Sequence, residues 1–330
     1  MTCGLVMVDM KLTFRYFIAV CIVAMFTIYT VSVILKKKQV FLGTNDSTNL
    51  MFNDIDFTYH SNKHDFQYLI SEETACRQDG VIFLLVVVCV SAGNLQQRQT
   101  IRDTWGSVAM KDPAMKLMFL LGNPNNVTLQ SQIIEESVQY KDIIQEDFID
   151  SYRNLSLKSV ALLKWVSLFC NEAKYILKSD DDMFVHIPNL VAILRNRLPV
   201  NAVIGCRING AMPLRDKTSK WYASVQEYSK KFYPSYCSGT AYVISRDSIE
   251  PLFNVSQSVA LFWLEDIYIT GICRTIAHVD IINSNAFTYV KRDPTACSFT
   301  KAVTGHRYSL TEIRNIWTEI QNNVTCPKPK

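Results

Sequence analysis

Apolar and polar positions divide the 330 residues into three stretches of different character. The first holds an uncharged apolar run of 20 residues, Tyr16 to Leu35. The second, 39 to about 79, is polar, rich in Asn, Asp, Ser and Thr, and has no sustained period. Order begins at Val81–Val90 (VIFLLVVVCV), a continuous β-branched run that predicts a strand covered on both faces, as in a parallel sheet. Lys116–Leu121 and Ala173–Ser179 repeat the pattern, and helical spacing fills Leu129–Tyr140 and Leu155–Cys170. Strand, helix, strand, helix, strand predicts a doubly wound α/β domain. Ser309–Gln321 predicts a terminal helix with Ser309 as N-cap and Glu312 three residues later.

The apolar run is about 30 Å long as a helix, the thickness of a bilayer core, and longer than the core of a cleaved signal peptide. It predicts an uncleaved signal anchor. The chain then divides into a tail (1–15), a transmembrane segment (16–35), a stem (36–79) and one catalytic domain (80–330). Charge follows the same division. Five of the 34 Lys and Arg and one of the 30 Asp and Glu lie within residues 1–38, so the rest is neutral, 29 against 29. A nucleic-acid binder concentrates basic charge on its folded part, and this chain does not. Lys36, Lys37 and Lys38 alone would set the domain in the cytosol by the positive-inside rule. Against them stand five Asn-x-Ser/Thr sequons, at Asn45, Asn126, Asn154, Asn254 and Asn323, and eight cysteines after the anchor with no zinc-like spacing. An even number of scattered cysteines fits an oxidising lumen, which favours a lumenal domain.

Candidate chemistry lies mostly at predicted element ends. Asp180, Asp181 and Asp182 follow directly from a buried strand, and ligands of open α/β sheets bind beyond the carboxyl ends of strands. Asp180 and Asp182 share a side of an extended chain and can face one hard cation, Mg²⁺ or Mn²⁺; an acidic turn capping the next helix is the competing use. Glu265 and Asp266 sit among Trp263, Leu264 and Ile267, where desolvation raises a carboxylate toward general-base range. One of the two can instead cap the helix beginning near Ile267. Arg98 and Arg102, four apart on one helical face, could meet a diphosphate, with Trp105 beside them for a base or sugar, although most such pairs are only solvated. Gly239 permits close backbone approach to a ligand. His306 is a late lone imidazole.

The blocks RQTIRDTWG (98–106), EDFIDSYRNLSLKS (146–159), KYILKSDDDMFVHIPNL (174–190), KWYASVQEY (220–228), YPSYCSGTAYVIS (233–245) and LEDIYITGIC (264–273) occur in one order. Together they resemble the β1,3-glycosyltransferase family that includes the β1,3-galactosyltransferases. The resemblance implies a single-pass type II Golgi protein whose lumenal domain is a GT-A fold, a Rossmann-like α/β/α sandwich around a mostly parallel sheet. It implies a UDP-sugar donor and Mn²⁺, with Mg²⁺ possible. The family's Asp-x-Asp motif falls on Asp180–Asp182, with Asp182 the closest ligand, Asp180 and Asp181 toward the donor, and His306 completing the metal shell. Its catalytic base falls on Asp266. Cys237, Cys273, Cys297 and Cys326 match cysteines of the galactosyltransferase branch.

The implied reaction is inverting transfer of galactose from UDP-galactose to the 3-hydroxyl of a glycan ending in GlcNAc or GalNAc. Two alternatives stay open. Shared motifs leave a β1,3-N-acetylglucosaminyl- or N-acetylgalactosaminyltransferase as the near rival, and a non-catalytic glycan-binding protein on the same scaffold is the distant one. Intact acids at Asp180–Asp182 and Asp266 weigh against the last.

Overall fold

A computed structural model describes residues 63–77 and 80–327. The expected tail and transmembrane segment, most of the expected stem, and Asn45 lie outside the described residues. Among the described residues no helix is long and apolar enough to cross a membrane.

Among the described residues, ten strands and six principal helices build the domain. The strands are β1 (Tyr68–Ile70), β2 (Leu84–Cys89), β3 (Met115–Asn123), β4 (Ile143–Ile149), β5 (Tyr175–Asp180), β6 (Phe184–Val185), β7 (Ala202–Ile208), β8 (Tyr236–Ser245), β9 (Asp280–Asn283) and β10 (Thr304–Gly305). The helices are α1 (Leu95–Asp103), α2 (Val127–Tyr140), α3 (Leu155–Phe169), α4 (Ile187–Arg197), α5 (Arg246–Ser256) and α6 (Leu310–Gln321). Eight strands form one sheet in the order β1-β4-β3-β2-β5-β8-β7-β9, and β10 pairs with β6 apart from it. Pairings β2–β3, β3–β4, β2–β5 and β7–β9 are parallel, while β1, β5–β8 and β7–β8 pair antiparallel. The central sheet is therefore mostly parallel, with helices on both faces, as the strand–helix alternation predicts.

The β-branched run explains itself once β2 is in place. Leu85, Val87 and Cys89 enter one core with Val160 and Leu163 of α3 and Ile249 and Leu252 of α5. Leu84, Val86 and Val88 enter the other with Ile101 of α1, Leu190 of α4 and Ile313 of α6. A strand wrapped on both faces has no polar side and shows no alternation. At the other end of the chain the Ser309 hydroxyl accepts from the Glu312 N–H and the Glu312 carboxylate accepts from the Ser309 N–H, the reciprocal cap that the sequence predicts.

One expectation needs correction. Part of the predicted stem belongs to the domain: β1 pairs with β4, and Cys76 is disulfide-bonded to Cys170 at the end of α3. His64 also contacts the fully buried Glu146 of β4, so the folded part begins before residue 80. A second disulfide joins Cys297 and Cys326, whereas Cys89, Cys206, Cys237 and Cys273 are free thiols. Of the described sequons, Asn126, Asn254 and Asn323 are exposed, while Asn154 is half-buried and donates through its side chain to the Ile149 carbonyl.

Candidate active site

The chain leaves β2 toward β3 and β4 on one side, then returns to β5 on the other. This reversal opens a crevice at the carboxyl ends of β2 and β5, where open α/β sheets place their ligands. Cys89 and Asp180, the last residues of the two strands, are in register. Asp181 and Asp182 follow, so all three acids stand at the switch point.

Each acid is held differently. Asp180 Oδ1 is 2.6 Å from Lys178 Nζ. Burial raises the Asp180 carboxyl to about 6, against the pull of Lys178 and with help from Glu265 and Asp182. Asp181 accepts from Asn94 Nδ2 at 2.7 Å, and burial raises it too. Asp182 is more open than Asp180, with its carboxylate 3.3 Å from His306 Nε2. That meeting depends on the β10–β6 pair, which lays Gly305 beside Phe184. The His306 Nδ1 lies 2.9 Å from the Tyr289 carbonyl, which fixes the proton on Nδ1 and leaves Nε2 toward Asp182. Burial opposes charge on His306, but the Asp182 carboxylate outweighs it and leaves the imidazole raised.

Glu265 and Asp266 divide their work. The Glu265 Oε1 accepts from Ser159 Oγ at 2.7 Å and Tyr242 OH at 2.6 Å. Asp266 is the residue that caps the following turn, a π-helix over Ile267–Cys273, through the Ile267 N–H at 2.9 Å. Its other oxygen accepts from the Gly239 N–H at 3.2 Å. These bonds favour the anion, yet burial first and the Glu265 charge second push Asp266 up to about 7. Gly239 is required here: a Cβ would stand 2.9 Å from Glu265 Oε2 and 3.1 Å from Asp266 Cβ. The close approach it permits is to these two acids.

Lys178 joins both halves. From β5 its buried ammonium donates to Asp180 Oδ1 and, at 2.5 Å, to the Gly239 carbonyl, and lies 3.6 Å from Glu265 Oε2. Sequence reading misses it because it sits inside an apolar strand. Its position two residues before Asp180, on the same side of the strand, is the available signal. Asn94, in the turn before α1, carries no comparable signal.

The second predicted cluster is placed elsewhere. Arg98 is 1% exposed and grips both oxygens of Glu136, at 2.9 and 2.6 Å. Arg102, 4% exposed, grips Asp142 at 2.8 Å through two nitrogens and stacks on Tyr140. Trp105 is 0% exposed and donates to the Met183 carbonyl. These residues tie α1 to α2 and to the loop beyond β5. Their donors are consumed by the fold, which corrects the expectation that they meet a diphosphate.

A family profile described as Galactosyltransferase matches residues 96–285, more than half of the chain. The chain belongs to the galactosyltransferase family. It is 34% identical over 276 residues to human beta-1,3-galactosyltransferase 2, a match covering 81% of this chain and 65% of that protein. It is 34% identical over 278 residues to mouse beta-1,3-galactosyltransferase 1, covering 83% of this chain and 84% of that one. The chain thus spans a little under two thirds of the first relative's length. The Asp triplet, His306 and Asp266 lie within one connected region, His306 outside the matched residues.

Hard carboxylate oxygens with one imidazole suit a divalent cation such as Mn²⁺. Among the described residues no three His, Cys, Asp or Glu side chains are already drawn together as a metal cage. The fit therefore rests on Asp182 and His306, with the Tyr289 carbonyl orienting the ring through Nδ1. Asp180 reserves one oxygen for Lys178.

Proposed function

We propose that the protein is an inverting β1,3-galactosyltransferase that moves galactose from UDP-galactose to the 3-hydroxyl of a glycan ending in GlcNAc or GalNAc. The observation that carries this reading is Asp266: a recessed carboxylate raised to about 7 and tied through Gly239 and Lys178 to Asp180 at the switch point. A group titrating near neutrality holds a proton only loosely on either side, as a general base must. Asp266 accepts the proton of the acceptor 3-hydroxyl as that oxygen bonds to the anomeric carbon. The carbon–oxygen bond to UDP breaks from the opposite face, its electron pair leaves on the diphosphate, and the α-linked donor becomes a β-linked product. Lys178 and the Gly239 and Ile267 N–H groups hold the base still meanwhile.

A divalent ion, Mn²⁺ or Mg²⁺, would be held by Asp182 and His306 with Asp180 adjacent, and when bound supplies positive charge for the departing diphosphate. A GT-A fold accords with the acid triplet beyond β5. Two disulfides in a charge-neutral domain support a Golgi-lumenal, type II arrangement with residues 16–35 as anchor.

Asp266→Asn keeps the size, keeps an acceptor for one of the two backbone N–H groups, and removes the base. Transfer should fall by about 10²- to 10⁴-fold, while calorimetry shows UDP binding unchanged. Transfer at near-normal rate would sink the assignment. Hydrolysis of UDP-galactose, UDP-GlcNAc and UDP-GalNAc side by side tests the donor, and preference for either N-acetylated sugar overturns galactose.

A further inference from the structure

Three segments far apart in sequence bring aromatic rings together on the Asp266 side of the site. Tyr152, just beyond β4, is 45% exposed, and Trp221, in the long connection between β7 and β8, is 47% exposed. The Trp221 indole N–H donates to the Tyr152 hydroxyl at 3.2 Å. Tyr152 in turn meets Trp263 edge to face, with ring centroids 6.3 Å apart. Cations lie on the same rings: Arg153 is 3.9 Å from the centre of Trp263, and Lys220 is 4.4 Å from that of Tyr152. Trp263 precedes Asp266 by three residues.

Phe262, next to Trp263 in sequence, packs with Tyr228 and Tyr233 as a trio with centroids 4.7 to 5.9 Å apart. Arg215 pins the connection by donating to the Ala223 and Tyr228 carbonyls. Two polar atoms in the region, the Tyr233 hydroxyl and the Trp263 indole N–H, are buried without a hydrogen-bond partner among the described residues. Tyr233 as a whole is only 4% exposed. Tyr236, the first residue of β8, also feels the base: burial first, then the Asp266 charge, hold its hydroxyl well above the usual range. Half-exposed aromatic rings fixed in place, with unused donors beside them, are the lining of a binding site more than of a solvated surface.

We propose that Tyr152, Trp221 and Trp263 form the acceptor subsite, on which a pyranose ring of the glycan stacks so that its hydroxyl reaches Asp266. This rests on Asp266 acting as the base. The C–H face of a sugar ring carries slight positive charge and packs on the negative face of an aromatic ring, while its hydroxyls take up N–H and O–H donors at the rim. A flat nucleobase would stack equally well, but the patch adjoins the base rather than the acids beyond β5, where the donor diphosphate belongs.

Saturation-transfer NMR of the full-length protein with methyl β-N-acetylglucosaminide and methyl β-N-acetylgalactosaminide reads the contact without needing catalysis. Wild type should saturate the ring C–H protons of at least one of them. Trp221→Ala should weaken that binding about tenfold, Trp221→Phe should restore part of it, and UDP affinity should hold within about twofold in both. Should Trp221→Ala prove poorly folded, Tyr152→Ala carries the same expectation. Sugar binding unchanged in the alanine variants overturns the proposal, and so does a parallel loss of UDP affinity. Asp266→Asn separates the two readings: it should keep the sugar contact while losing transfer, whereas loss of sugar contact only in the aromatic variants belongs to the platform alone.

Discussion

Two polar clusters beside α1 use the same residue types to opposite effect. Near α2, Arg98 and Arg102 face Glu136 and Asp142, two cations for two anions, each closed into short bonds. Glu136 is held below its ordinary range, because the two arginines outweigh its burial. Across the crevice, Asp180, Asp181, Asp182, Glu265 and Asp266 share one lysine, Lys178, and one imidazole, His306. There the carboxyls of Asp180 and Asp266 are raised to about 6 and about 7. Burial alone does not make a polar group functional. A balanced cluster spends its charge on the fold, whereas an unbalanced one keeps charge in reserve for a ligand.

That contrast can be broken experimentally. The largest effect on folding should come from Arg102→Met, which strands Asp142 and leaves Glu136 to Arg98 alone, and should cost about 3–5 kcal/mol. A shift of the urea midpoint reads it. The molecules that still fold should keep the wild-type pH profile; a moved profile would tie the two clusters together.

Asp266→Asn should behave in the opposite way. A carboxyl raised in the folded state adds stability below its unfolded value near 3.8 and loses it as pH climbs through about 7. At pH 8 the asparagine variant should therefore match or exceed wild type, by roughly 1 kcal/mol, and the advantage should vanish near pH 4. Thermal melts across that range decide it, and a variant less stable than wild type at pH 8 would contradict the imbalance. The smallest effect is kinetic. Transfer should rise with pH through about 7 as Asp266 ionises, and Glu265→Gln, by removing a neighbouring charge, should move that limb toward acid.

Much of this was legible in the amino-acid sequence wherever one residue type had one reading. The run at Val81–Val90 predicts a doubly covered strand, found at Leu84–Cys89, and the acids beyond Ser179 follow directly from a buried strand. Their meeting with His306 came from the resemblance to a family, since 124 residues and the small β10–β6 pair separate it from Asp182. Arg98 and Arg102 misled because spacing shows which face a side chain shares and says nothing about what faces it. Their partners lie about 40 residues on, at Glu136 and Asp142. Strand β4 was hidden for a related reason: Gln145 and Glu146 are fully buried in it, so its polar letters conceal a core strand. The edge strand β1 was lost in a segment whose composition alone reads as stem.

The edge strand and its disulfide also decide how the domain meets force. A pull arriving from the N-terminal side first loads the contact of His64 with Glu146 and the few rungs between β1 and β4. Beyond them Cys76 is covalently fastened to Cys170, at the far end of α3 from the crevice. Load reaching Cys76 would cross the disulfide to Cys170, between α3 and β5, by a covalent path that bypasses β2.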